Sequence, residues 1–170
     1  MASLSVTAIV ALALSGIAQA AASDLQVTSV STDMTAYTDF DRLDRPGSPN
    51  TWLIAPAASV DSLHADAPAP EFGIPAVRLA ERWVEVLRQQ PRTVIVGISD
   101  DRLRVEAEQR SAVFRFVDRI SFRAVPLGPD RSTFFAYSRS QLGYWDLGVN
   151  RRRLDDWIGA LRTTAVGATP

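Results

Sequence analysis

Residues 102–108 read Arg-Leu-Arg-Val-Glu-Ala-Glu, and residues 114–124 read Phe-Arg-Phe-Val-Asp-Arg-Ile-Ser-Phe-Arg-Ala. In the first stretch Leu103, Val105 and Ala107 alternate with charged residues, the period-two pattern of a strand buried on one side. In the second, Phe114, Phe116, Ile120, Phe122 and Ala124 are apolar at even positions, whereas the first is apolar at odd ones. A single regular strand cannot hold both sets on one face, so the chain must turn or bulge near Arg110-Ser111. Upstream, Val94, Ile95, Val96 and Ile98 form a β-branched run closed by the polar turn Asp100-Asp101. Downstream, Leu127-Gly128-Pro129-Asp130 has hairpin chemistry, and Ser132–Ser138 reads as the return strand with Phe134, Phe135 and Tyr137.

Helical periodicity flanks these strands. Val77, Ala80, Val84 and Leu87, with Trp83 beside them, predict a helix over 75–89 that Pro75 can start and Pro91 stops. Leu154, Trp157, Ile158 and Leu161 fall at i, i+3, i+4 and i+7 and predict a closing helix. The order helix, strands, helix predicts an α+β fold: a small antiparallel meander sheet with two helices packed on one face. Ahead of it, the turn Arg45-Pro46-Gly47-Ser48-Pro49-Asn50 leads into Thr51-Trp52-Leu53-Ile54, which should dock on the core. Residues 55–72 read as a loose stretch.

The chain has 170 residues, 46% hydrophobic and 22% charged, which suits one domain and excludes wholesale disorder. Its net charge of −1 conceals a segregation: residues 24–75 hold 8 acids and 2 arginines, and residues 76–170 hold 16 arginines and 11 acids. The two parts are thus about −6 and +5, to be matched inside the fold or turned toward different partners. No cysteine is present, which rules out disulfides, thiolate nucleophiles and Cys-ligated metals.

Val6–Ala18 is a short apolar run followed by Ala18-Gln19-Ala20, a small-x-small pattern. Residues 1–20 therefore read as a signal peptide cleaved after Ala20, with an uncleaved membrane anchor or a start at Met34 as alternatives. The organisation that follows is a linker over 21–44, one α+β domain over 45–162 and a frayed tail over 163–170. This places the domain in the periplasm or anchored to a membrane facing it.

Chemistry-bearing residues concentrate in 110–118, Arg-Ser-Ala-Val-Phe-Arg-Phe-Val-Asp, and in 138–153, where Ser138, Arg139, Asp146, Asn150, Arg151 and Arg152 surround apolar anchors. These segments, with the Ser48-Pro49-Asn50 turn and the Pro91-Arg92 helix stop, resemble the domain of unknown function 1499 family over about Arg45 to Leu161. The resemblance implies a bacterial envelope or plastid-type setting and no established activity. Many relatives carry cysteines flanking the Ser-Pro-Asn turn, where this chain has Arg45 and Thr51.

On the residues themselves, Arg115, Arg119 and Arg123 should line the sheet face opposite Ile120 and Phe122. Two roles compete. Arg110, Arg115, Arg139, Arg151 and Arg152 can contact an anion or a partner protein, with Ser111 and Ser138 nearby and Asp118, Asp146 and Asn150 holding the loop. Alternatively Arg110, Asp118, Arg139 and Asp146 form a buried lattice that locks the loop to the sheet. With Asp146 as helix cap, Asp155 and Asp156 can pair with Arg151 and Arg152.

No triad is readable, since the sole histidine, His64, lies far from Ser111 and Ser140 in sequence. No metal-ligand cluster, cofactor fingerprint or phosphate loop is present, and the interleaved acids argue against nucleic acid. The leading reading is a non-catalytic envelope domain that binds a partner protein or an anionic lipid-like ligand, with membrane proximity through the amino terminus. A hydrolase using Ser111 or Ser140, and an assembly role for Trp52, Trp145 and Trp157, are the alternatives. Amino-terminal sequencing of the protein recovered from expressing cells is expected to give Ala21 as the first residue.

Overall fold

The structure is a computed structural model that describes residues 37–112, 115–143 and 146–166. It is α+β, with six strands in the order β2-β1-β6-β5-β4-β3. Four of them, β3 (Thr93–Ile98), β4 (Arg104–Arg110), β5 (Val117–Gly128) and β6 (Arg131–Ser140), run as the expected antiparallel meander. The parity conflict is resolved by a turn, because β4 ends at Arg110 opposite Val117 and the chain reverses over the intervening residues. Phe116 consequently falls in that turn and is partly exposed rather than buried; Phe114 lies outside the described residues.

The sheet is larger than a four-stranded meander. β1 (Thr51–Ala55) pairs antiparallel with β6, and the supposedly loose stretch supplies β2 (Ala67–Pro68), which pairs parallel with β1 after a short helix α1 (Val60–Leu63). The turn around Asn50 thus feeds a strand into the far side of β6. Proline and alanine repeats hid β2 from a pattern-based reading, because two residues are too few to show a period.

The helices α2 (Ala76–Arg88) and α3 (Val149–Val166) share one core with Ile54, Val105, Ala107, Ile120, Phe122, Ala124, Phe134 and Ala136. Trp83 stacks on Phe122 at 4.8 Å between ring centroids, and Phe122 on Phe134 at 5.3 Å. Leu154, Trp157, Ile158 and Leu161 are buried as their spacing requires. α3 continues past Arg162, where the tail was expected to start. Among the described residues, no helix is long and apolar enough to cross a membrane; residues 1–20 lie outside that set.

The opposite face is covered by the chain's own arm. Residues 37–43, read as the end of the linker, carry Phe40 into a second cluster with Leu53, Ala55, Phe135 and Tyr137. Arg123 clamps the arm, donating to both oxygens of Asp41 at 2.7 and 2.9 Å while lying over the rings of Phe40 and Phe135. That hydrogen bonding holds the Asp41 carboxyl below its ordinary range. Nearby, buried Glu106 accepts from the Thr38 amide, Ser121 and Arg119. Arg119 and Arg123 therefore do not present a free guanidinium face; they are used internally. Phe40→Ala is expected to lower the unfolding free energy by about 3 kcal/mol, whereas Val94→Ala on the exposed edge strand should change it by less than about 0.5 kcal/mol; urea denaturation reads both.

Candidate functional site: an arginine-rich end of the sheet

The start of α3, the turn before β1 and the ends of β4, β5 and β6 meet at one end of the sheet. Three successive arginines follow Val149 and Asn150 at the start of the helix, and successive helical residues point about 100° apart. Their environments accordingly differ. Arg153 turns inward and is 7% exposed. It forms an ion pair with buried Asp118 and donates through Nε to Gln109 Oε1 at 2.7 Å. Its Nη1 donates to Ser138 Oγ at 2.8 Å and to Asn150 Oδ1 at 2.7 Å.

Asn150, with 0% exposure, extends this network. Its Oδ1 accepts from Ser138 Oγ at 2.6 Å, and its Nδ2 donates to the Asn50 carbonyl and to Asp146 Oδ2, each at 2.7 Å. Asp146 caps the helix from the preceding loop, accepting the Gly148 and Asn150 amides at 2.8 Å each. Asn50 Nδ2 in turn donates to the Gly143 carbonyl at 2.5 Å, and Ser48 Oγ to Asn50 Oδ1 at 2.6 Å. The Ser-Pro-Asn turn and the 138–153 segment, distant in sequence, are thus halves of one hydrogen-bonded assembly.

The locking lattice exists, with a membership that differs from the sequence reading. Asp118 and Asp146 belong to it; Arg110 and Arg139 are exposed and outside it. Asp118, Ser138 and Asn150 are buried and bonded to protein partners. Arg153, Gln109 and Asn50 are the members that the reading missed. The signal was available: the apolar stripe of α3, carried back four and seven residues from Trp157, lands on Arg153 and Asn150. Arg151 lies over the Trp52 ring at 5.0 Å and meets Asp155 at 3.5 Å, while Arg152 donates to the Leu147 carbonyl at 2.9 Å. Trp52 is partly buried and Trp157 is core, which leaves neither as a free interface aromatic; Trp145 lies outside the described residues.

Beside the lattice, at the same end, Arg92, Thr93, Val94, Arg110, Ser111, Ala112 and Arg115 line a cavity of about 350 Å³. Arg92 Nε donates to the Arg110 carbonyl at 3.0 Å, and both Arg92 and Arg115 hold left-handed backbone, φ 56° each, which arginine rarely adopts. Arg92, Arg110, Arg115 and Arg139 form no ion pair among the described residues. Ser111 Oγ accepts the Phe116 amide at 3.0 Å, and none of the described lining residues is a carboxylate. The lining thus combines three arginines, two hydroxyls and the apolar side chains of Val94 and Ala112. Among the described residues, no group of His, Cys, Asp and Glu could hold a metal ion.

The fold and this end of the sheet define an α+β domain with a buried polar lock and an adjoining arginine cavity. The family model "Protein of unknown function (DUF1499)" matches residues 17–161, and the chain belongs to that family. A comparison with curated proteins finds no match. Among solved structures, a START superfamily protein from Mycobacterium smegmatis aligns at 13% identity and TM-score 0.38, over 59% of this chain and 96% of that one. A protein from Thermus thermophilus aligns at 10% identity and TM-score 0.34, over 60% and 97%. At those scores neither likeness bears on the ligand.

Asp118→Ala is expected to lower the unfolding free energy by about 3–5 kcal/mol, since it strands a buried guanidinium. The pair Asp118→Leu with Arg153→Met should cost less than either single change, and Arg152→Ala less than about 1 kcal/mol. Urea denaturation of the set gives the coupling directly.

Proposed function

We propose that this protein is a non-catalytic envelope domain that binds an anionic amphiphile, its charged group taken by Arg92, Arg110 and Arg115. The observation that carries this reading is the contrast between arginines. Arg119, Arg123 and Arg153 are met by protein carboxylates, while Arg92, Arg110 and Arg115, whose guanidinium groups form no ion pair among the described residues, line one cavity. Such forks suit the oxygens of a phosphate or carboxylate, and each charge-assisted bond contributes about 1.5–3 kcal/mol. Ser111 and Thr93 add hydroxyls, and Val94 with Ala112 supplies an apolar wall for a chain attached to the anion. The cavity's volume falls in the range of small-ligand sites. Placement in the envelope follows from the reading of Val6–Ala20.

Calorimetry with a short-chain alkyl phosphate, and with inorganic phosphate for comparison, tests the reading. The alkyl phosphate is expected to bind more tightly than phosphate. Arg110→Ala and Arg115→Ala should each weaken it about ten- to a hundredfold, and Arg131→Ala, whose side chain pairs with Glu71, should leave it unchanged. Equal affinity in the Arg110→Ala/Arg115→Ala double variant removes the proposal.

A further inference from the structure

We infer that the ligand of the arginine cavity is a long single-chain anionic amphiphile, whose alkyl tail leaves the cavity along β3 and ends in the groove between that strand and α2. The headgroup half of this assignment rests on the cavity reading; the tail site goes beyond it. β3 is the outermost strand of the sheet, paired with β4 alone among the described residues. An outermost strand is ordinarily guarded by charged side chains, yet Thr93–Ile98 carries none. Val94, Val96 and Ile98 are instead 63%, 49% and 43% exposed. Val94 lines the arginine cavity, and Ile98 lines a groove of about 260 Å³ where Ala80 and Val84 of α2 meet Val105 of β4. The three side chains thus form an apolar path with a cavity at each end.

The register of β3 decides how that path runs. Val94 lies opposite Glu108 and Ile98 opposite Val105, an odd number of residues apart on β4, so the two side chains stand on opposite faces of the sheet. The register shift between Ile95 and Gly97 produces this change, and Val96 sits within it. The path therefore crosses the outer edge of the sheet at Val96. The same irregularity selects the occupant. An added peptide strand needs an even ladder of backbone hydrogen bonds, which a bulged edge disrupts; an alkyl chain needs none and takes only the apolar contact. Charge fixes its direction. Three arginines at the cavity form no ion pair among the described residues, whereas at the groove Glu81 is paired with Arg102 and Glu85 with Arg82, which leaves Arg88 as the one such cation in the described lining. The anionic head belongs among the three arginines and the uncharged tail over Val96 and Ile98. The stretch from Val94 to Ile98 spans about 13 Å at about 3.3 Å per residue. A butyl chain falls short of that, and a chain of about ten to twelve carbons covers it, since each bond of about 1.5 Å advances somewhat less than its length.

Calorimetry with a chain-length series of alkyl phosphates, each kept below its micelle concentration, tests the tail site. Dodecyl phosphate is expected to bind at least about tenfold more tightly than butyl phosphate, each buried methylene being worth up to about fourfold. Val96→Ser/Ile98→Ser should remove most of that gain and leave butyl phosphate unchanged, since both positions are exposed and the fold should tolerate the change. Dodecyl phosphate carrying a diazirine at its terminal carbon should, on irradiation, label α2 and β3. Equal affinity for the butyl and dodecyl compounds, unchanged dodecyl binding in the serine variant, or label confined to other elements overturns the tail site. Dodecyl binding that survives Arg110→Ala/Arg115→Ala but is lost in the serine variant supports the tail site and removes only the cavity reading. Absence of binding by every member of the series removes both.

Discussion

Arg153 and Asp118 are both almost excluded from water, and each would be costly to bury alone. Together, with Gln109, Ser138 and Asn150 accepting further bonds from the guanidinium, they tie α3 to β4, β5 and β6 at once. An apolar replacement of the same shape can equal such a pair in stability, so its distinctive effect is on register. Only one placement of the helix on the sheet lets a single guanidinium reach all these groups. The turn before β1 and the capped loop before α3 both hang from this lock through Asn150.

That arrangement separates two populations of arginine. Those in register with a carboxylate across the sheet or along the arm are absorbed: Arg119 by Glu106, Arg123 by Asp41, Arg153 by Asp118. Acids from the amino-terminal part meet arginines from the carboxy-terminal part in the Asp41–Arg123 and Glu71–Arg131 pairs, so part of the charge segregation is cancelled within the fold. A further group of arginines sits at one end of the sheet. There the Arg92, Arg110 and Arg115 cavity lies beside the lattice, and Arg139 and Arg152 are exposed at the same end.

The two sheet faces have different kinds of cover. Two amphipathic helices close one around the Trp83, Phe122 and Phe134 stack, and the arm over Tyr37–Leu43 closes the other with one buried aromatic and one clamped carboxylate. The arm crosses the sheet where Gly97 has no side chain; a Cβ there would come within 3.3 Å of the Tyr37 hydroxyl. Residues ahead of the family's characteristic turn are thus part of the folded unit, although their sequence has no period to announce it.

Periodicity in the sequence determined both long helices and four of the six strands, because each buries one face and repeats its apolar positions along the chain. The parity conflict at Arg110 marked a reversal for the same reason. The arm and β2 were not legible, since one phenylalanine or two paired residues leave no repeat. At the candidate site, residue types pointed to segments 110–118 and 138–153 but could not sort their arginines. Whether a guanidinium faces a carboxylate or solvent depends on partners dozens of residues away: Arg153 and Asp118 are 35 residues apart, Asn150 and Asn50 are 100. Tertiary packing alone decided which charges hold the fold together and which remain outward.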